Sequence, residues 1–270
     1  MSQTEKNGNQ LAERMGKIRH KIVVLSGKGG VGKSTVAVNI AASLALQGKR
    51  VGLLDVDIHG PSVPTMLNLH DVPMWGDGKG MLPVEMPSIG DLCVMSVGFL
   101  LESSDAPVIW RGPMKNNVIK QFLEEVQWGD LDYLVVDCPP GTGDEPLSVI
   151  QLMGKADGAV VVTTPQVVSS IDVSKSINFA KKLDLPVLGI VENMSGFVCP
   201  HCGKMTEIFR SGAGEKLASK YGVSLLGKIP IDPRIGETGD AGLPIVAAHA
   251  DSEAARIYTE ITKGFISKEN

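Results

Sequence analysis

The chain has 270 residues, a formal net charge of -4 and four cysteines. That length supports one large α/β domain or two small ones, and the slightly acidic balance argues against non-specific nucleic-acid binding. So few cysteines exclude a disulfide-stapled secreted scaffold, the interrupted apolar runs exclude a membrane span, and the polar start lacks the basic and apolar parts of a signal peptide. The expectation is a cytoplasmic protein with no nucleic-acid and no membrane partner.

Residues 1–18 read as a flexible tail, with helical character from Leu11. The apolar stretch Ile22-Val23-Val24-Leu25 reads as the first core strand and runs into Gly27-Lys28-Gly29-Gly30-Val31-Gly32-Lys33-Ser34-Thr35. A helix is expected over 36–46. Strand, glycine loop and helix in this order form the setting of a phosphate-binding loop. Its glycines let backbone N–H groups converge on phosphates, and the helix N-terminus adds a favourable field. In that setting Lys33 reaches the β- and γ-phosphates of ATP, and the Ser34 hydroxyl holds Mg²⁺.

Residues 51–55 read as the next buried strand, followed by Asp57-Ile58-His59-Gly60-Pro61-Ser62 and a short helix through Leu67. Residues 69–90 are rich in Pro, Gly and Asp and read as a loop with room for a small hairpin. A strand is expected over 92–97. A helix is expected over 112–126, with Met114, Val118, Phe122 and Val126 on one face. Tyr133-Leu134-Val135-Val136-Asp137 is a buried strand ending in an acid, and Cys138-Pro139-Pro140-Gly141-Thr142-Gly143-Asp144 after it is a shaped loop. Such a loop can sense a γ-phosphate, with Gly141 offering its N–H. Strands over 158–163, 187–191 and 225–229 alternate with helices over 169–183, 211–221 and within 244–265. On the last of these, Ile257, Ile261 and Phe265 share a core face. Repeated apolar strands with intervening helices predict a three-layer α/β/α sandwich with a mostly parallel central sheet.

Three aspartates fall at or just beyond strand ends, where open α/β sheets place ligands. Asp137 is the natural Mg²⁺-side acid. Asp57 is placed to position the attacking water or a Mg²⁺-bound water, and Asp55 to support it from behind. Further on, Cys199-Pro200-His201-Cys202-Gly203 sets two thiols two residues apart in a tight turn. One chain supplies only this closely spaced pair, so four-sulfur coordination requires a second copy or another chain. A bridging [4Fe–4S] cluster, a zinc clip and a dithiol redox pair all remain open on these residues alone. Asn193 has two readings, as a cap of the turn before Gly196 or as a carboxamide that pairs with an adenine edge.

The extra lysine, Lys28, near the start of the glycine loop resembles the deviant-Walker-A ATPases. In that class this lysine crosses a dimer interface to the partner's ATP. The resemblance implies a nucleotide-sandwich homodimer with Lys28 acting in trans. The glycine loop, Asp55-Val56-Asp57-Ile58-His59-Gly60-Pro61-Ser62, the Asp137 to Asp144 segment, Glu192-Asn193-Met194-Ser195 and Cys199-Pro200-His201-Cys202 together resemble the Mrp/ApbC family. Those motifs run in family order from about Lys21 to Ala248. The resemblance implies a P-loop NTPase fold and a slowly hydrolysing ATPase that carries an iron–sulfur cluster and passes it to apo-proteins; the alternatives are a partitioning-type ATPase acting on DNA or membrane and a zinc-clamped, nucleotide-gated adaptor. It implies Lys28, Lys33, Asp57 and Asp137 as catalytic, and Ser34, Asp57 and Asp137 as Mg²⁺ ligands, direct or through water. It places ATP on Gly27, Lys28, Gly29, Gly30, Val31, Gly32, Lys33, Ser34 and Thr35, with Asn193, Pro230, Ile231 and Asp232 around the base. Cys199 and Cys202 match the cluster ligands. The implied organisation is a tail over 1–18, one ATPase domain over 19–266 with a CxxC insertion at 196–210, and a tail over 267–270.

Overall fold

The apolar runs become strands because they are buried on both faces, as a parallel sheet under two helical layers requires. The computed structural model describes residues 3–70, 72, 75–78, 80–100, 112–199, 201–209 and 212–269. In chain order these residues form α1 (Gln3–Gly16), β1 (Ile18–Ser26), α2 (Lys33–Leu46), β2 (Val51–Asp55), α3 (Val63–Met66), β3 (Trp75–Gly76), β4 (Met81–Leu82), β5 (Val84–Glu85), β6 (Leu92–Ser96) and α4 (Gly112–Glu125). They continue with β7 (Leu131–Asp137), α5 (Asp144–Met153), β8 (Gly158–Thr163), α6 (Val167–Lys182), β9 (Val187–Glu192), β10 (Phe197–Val198) and β11 (Met205–Thr206). The last elements are α7 (Ala213–Tyr221), β12 (Leu225–Lys228), α8 (Pro233–Asp240), α9 (Ile245–Ala248) and α10 (Glu253–Ile266).

The main sheet has the order β12-β9-β8-β1-β7-β2-β6-β5. Its neighbours are parallel except at the edge pair β5–β6. Side chains alternate across it. Ile22 and Val24 of β1 face the layer made by α2, α9 and α10, while Val23 and Leu25 face the layer that holds α1, α4 and α5. Val161 and Ile190 meet α6 and α7. The expected three-layer α/β/α sandwich is therefore the observed one. β1 lies inside the sheet, and successive strands are laid down on both sides of it. That reversal opens a crevice at the C-terminal strand ends, which is where the glycine loop leaves β1.

Several details differ from the expectation. Residues 3–16 form a helix, because Leu11 and Met15 find an apolar seat against α4 and Arg14 Nη1 donates to the Glu125 carbonyl at 2.7 Å. Ile18, placed in the tail, already pairs with Leu131 in the sheet. Of the expected face, Phe122 and Val126 are buried but Met114 is half exposed, and α4 also buries Ile119 and Leu123. The closing helix is two helices, α9 and α10, with Ser252 capping the second by accepting from the Ala255 N–H at 3.1 Å. In the expected C-terminal tail, the Glu269 carboxylate accepts from the Tyr133 hydroxyl and lies 2.8 Å from Lys49 Nζ. The loop over 69–90 does contain a hairpin, β3–β4. Pro200 and Ser211 lie outside the described residues. Among the described residues, no helix is long and apolar enough to cross a membrane.

Candidate nucleotide and thiol site

The glycine loop runs between β1 and α2. Gly30 and Gly32 have φ of 75° and 78°, a region that L side chains rarely adopt. Gly32 is also a contact point, since a Cβ there would sit 2.2 Å from Asn193 Nδ2. Without that Cβ, Asn193 Nδ2 donates to the Val31 carbonyl at 2.9 Å, while its own N–H donates to the Thr163 carbonyl at 2.7 Å. Gly27 allows α6 to close in, because a Cβ there would lie 2.3 Å from the Asp172 backbone. Ser26 Oγ donates to the Lys28 carbonyl, and Lys28 Nζ reaches Gln166 Oε1 at 3.4 Å. The Gly141 N–H, expected to face a phosphate, donates instead to the Ser26 carbonyl at 2.8 Å, so the loop after β7 is tied to the end of β1.

Lys33, at the start of α2, is buried against the acids. Its Nζ donates to Asp137 Oδ1 at 2.6 Å and to Ser34 Oγ at 3.3 Å, and lies 3.3 Å from Asp57 Oδ2. Burial disfavours the ammonium, but Asp137, Asp57 and Asp55 outweigh it and hold its pKa above the ordinary lysine value. Asp137 is pushed up by burial against the opposing pull of Lys33 and Ser34. Asp55 sits directly beside Asp137 in the sheet register. Burial and the Asp137 charge raise its pKa as well. Asp55 Oδ1 accepts from the Asp57 N–H at 3.0 Å, and Oδ2 accepts from Ser96 Oγ at 2.8 Å. It thus fixes the backbone that presents Asp57, the supporting role expected of it. Ser96, at the end of β6, escapes sequence reading, because a serine closing an apolar strand carries no motif.

Two carboxylate oxygens, Asp57 Oδ1 and Asp137 Oδ2, are buried without a hydrogen-bond partner among the described residues. Orphaned oxygens of this kind beside a serine hydroxyl fit a hard, oxygen-seeking cation and its waters. A cavity of about 220 Å³ opens over the loop, lined by Lys28, Lys33, Ser34, Thr35, Asp57 and Pro140 among others. A second cavity, of about 280 Å³, shares Thr35, Ser62 and Met66 with the first and extends between α2, α3 and α8. Val31 is buried beneath the loop, whereas Gly29 and Gly30 are exposed.

Asn193 comes straight after β9 and Pro230 shortly after β12, and β9 and β12 are neighbouring strands. Asp232 is engaged as the cap of α8, accepting from the Arg234 N–H at 3.0 Å and pairing with its guanidinium at 2.6 Å. That explains Arg234 as the partner of an acid. Ile231 bridges to Phe197, and its N–H donates to the Gly196 carbonyl at 2.7 Å. The expected base segment is therefore bonded to the start of the cysteine hairpin.

That hairpin is β10 and β11, paired antiparallel. Cys199 N–H donates to the Lys204 carbonyl at 3.0 Å, and Gly203, with φ of 68°, returns its N–H to the Cys199 carbonyl at 2.9 Å. The backbone N–H groups of His201 and Cys202, with the Cys202 side chain, point at the Cys199 sulfur and lower its pKa. A thiolate so supported suits a metal or cluster iron. Cys202 and His201 are exposed. Burial pushes the Cys93 thiol up to about 12, and Cys138 is fully buried with its pKa raised likewise, so neither resembles a ligand.

A parallel sheet with this loop, lysine and acid cluster at its C-terminal edge defines a P-loop nucleotide-binding protein. A family model described as "NUBPL iron-transfer P-loop NTPase", of the ParA group, matches residues 17–266. The chain belongs to that family. It is 50% identical to an iron–sulfur cluster carrier protein of Methanocaldococcus jannaschii over 259 residues, 96% of this chain and 88% of the relative. It is 52% identical to the cytosolic Fe-S cluster assembly factor CFD1 of Kluyveromyces lactis over 231 residues, 84% of this chain and 82% of that one. Among solved structures it resembles a nucleotide-binding protein from Archaeoglobus fulgidus in complex with ADP and with Co. The TM-score is 0.77 and the identity 43%, covering 87% of this chain and 91% of the other.

Proposed function

We propose that this protein is an ATP-binding, slowly ATP-hydrolysing carrier that holds a [4Fe–4S] cluster between two copies of the chain and passes it to apo-proteins. The observation that carries the reading is the supported Cys199–Cys202 turn joined through Phe197 and Ile231 to the segment expected around the base. Its likeness to proteins named as iron–sulfur carriers supports the same cargo.

The loop amides from Gly29 to Thr35 take the phosphates, and Lys33 turns from Asp137 toward the β- and γ-oxygens. Ser34, Asp137 and Asp57, directly or through water, would hold Mg²⁺, which would offset phosphate charge when bound. Asp57 orients the attacking water and accepts its proton, while Asp55 and Ser96 keep the Asp57 backbone in place. Lys28, half exposed on the loop, reaches the partner's ATP. Asn193, Pro230 and Ile231 border the base. Asp232, which also caps α8 and pairs with Arg234, borders the base beside Ile231.

Each chain brings two thiols, so a cluster with four iron corners takes Cys199 and Cys202 from both copies. The hairpin's exposure lets acceptor thiols approach. A cytoplasmic setting agrees with the word "cytosolic" in the name of the Kluyveromyces relative. The test is transfer. Cluster-loaded protein should activate an apo-acceptor enzyme, while Cys199→Ser and Cys202→Ser, loaded identically, should not. Activation by both variants would overturn the assignment, and a four-thiolate zinc site that takes no cluster would favour a structural clamp.

A further inference from the structure

Glu192 ends β9 with no solvent exposure at all. A carboxylate is seldom so deeply buried unless its oxygens are satisfied. Ser195 Oγ donates to Oε1 at 2.6 Å, and the Gly214 N–H donates to Oε2 at 2.6 Å. These two partners stand on either side of the cysteine insertion. Ser195 comes just before Gly196 and the hairpin. Gly214 lies in the first turn of α7, where the chain returns to the sandwich. The approach is close: a Cβ on Gly214 would sit 3.0 Å from Glu192 Oε2. One buried side chain therefore gathers both ends of the segment that carries Cys199 and Cys202.

The other end of the same short stretch is fastened to the glycine loop. Asn193, the next residue, donates to the Val31 carbonyl, and Gly32 leaves room for it. The connected path runs from Val31 through Asn193 and Glu192 to Ser195 and Gly214. We infer that Glu192 is a positioning residue that couples the glycine loop to the cysteine hairpin, so that nucleotide on the loop alters the reactivity of Cys199 and Cys202. The inference rests on the reading of those thiols as the cargo site and of the loop as the ATP site. When nucleotide shifts the Val31–Gly32 backbone, Asn193 moves with it. A buried carboxylate gives up its donors only at high cost, so the displacement passes to both ends of the hairpin instead of dissipating.

Thiol alkylation reads this coupling without any cluster. Full-length protein is treated with iodoacetamide with and without MgATP, and modification at each cysteine is followed by mass spectrometry. The fully buried Cys138 serves as the protected internal reference. In the wild type, MgATP should change the rate at Cys199 and Cys202 by about fivefold or more, the usual lower range of coupling between sites. Glu192→Gln should keep the response, since its carboxamide still accepts from Gly214 and pairs with Ser195. Glu192→Ala and Ser195→Ala should lose it while equilibrium dialysis shows ATP still bound. If Glu192→Ala does not fold, Ser195→Ala against Glu192→Gln decides. The inference is overturned if the wild type gives no response, if both alanine variants respond like the wild type, or if Glu192→Gln loses the response as completely as alanine. A coupled response in protein that refuses a cluster on anaerobic reconstitution would support the inference and refute the cargo reading.

Discussion

Lys33 stands between two carboxylates and the loop, and its replacement should act twice. Lys33→Ala removes a charge-assisted phosphate contact and should weaken ATP binding by about ten- to a hundredfold. It also leaves Asp137 buried without its cation, which should lower the stability of the nucleotide-free protein by about 3–5 kcal/mol. Among the described residues, the Lys28 ammonium has one long contact, to Gln166 Oε1, and no buried acid beside it. Lys28→Ala should therefore bind ATP well and melt normally, yet lose hydrolysis and nucleotide-dependent dimerisation. Wild-type turnover and dimerisation in Lys28→Ala would remove it from the partner's site. Asp57→Asn keeps its shape and its backbone tie to Asp55 but loses the carboxylate. It should retain ATP while single-turnover hydrolysis falls by about a hundredfold or more, the scale of general-base loss. Normal hydrolysis with weakened binding would give Asp57 a different role. The residues named in these tests are legible in sequence because they occur in contiguous motifs. Ser96 is not, and Glu192 is legible only as a member of its motif, since the partners Asp55 and Gly214 become neighbours only when distant strands and helices meet.

At the scale of elements, α10 offers a contrast between two polar groups. Ser252 caps the helix, whereas the Tyr258 hydroxyl is fully buried with no partner among the described residues. Tyr258→Phe removes an unsatisfied group without opening a cavity and should be neutral or stabilising by about 1 kcal/mol. Ser252→Ala should cost about 1 kcal/mol by exposing the Ala255 N–H. Urea denaturation of both variants checks the pair, and a large loss in Tyr258→Phe would point to a bond that this structure lacks. The strands are legible because a strand covered on both faces is written as a continuous apolar run, as in residues 158–163. Helix faces are less so. Met114 has the right spacing for the core but is half exposed near the start of α4, while Ile119 and Leu123 join Phe122 in the buried positions. The helix over residues 3–16 is legible only from Leu11 for a related reason: its earlier residues are mostly polar, and the seat that α4 offers Leu11 and Met15 draws the segment in.

Over the whole molecule, the strand order places two kinds of chemistry side by side. The loop after β1 and the acids at the ends of β2 and β7 and just beyond β2 lie together at the C-terminal edge of the sheet. The segment after β9, two strands from β1, carries the thiols, and the segment after β12 braces them through Ile231. In the proposed carrier one chain supplies half of a four-thiolate site, so the cargo and the dimer stand or fall together. Anaerobic reconstitution with iron and sulfide, followed by iron, sulfide and zinc analysis and optical spectroscopy on the isolated dimer, reads both at once. Four irons and four sulfides per dimer with a cluster absorbance band are expected, lost in Cys199→Ser and in Cys202→Ser while ATP binding persists. Full cluster occupancy in both variants, or zinc with no cluster in the wild type, would contradict it.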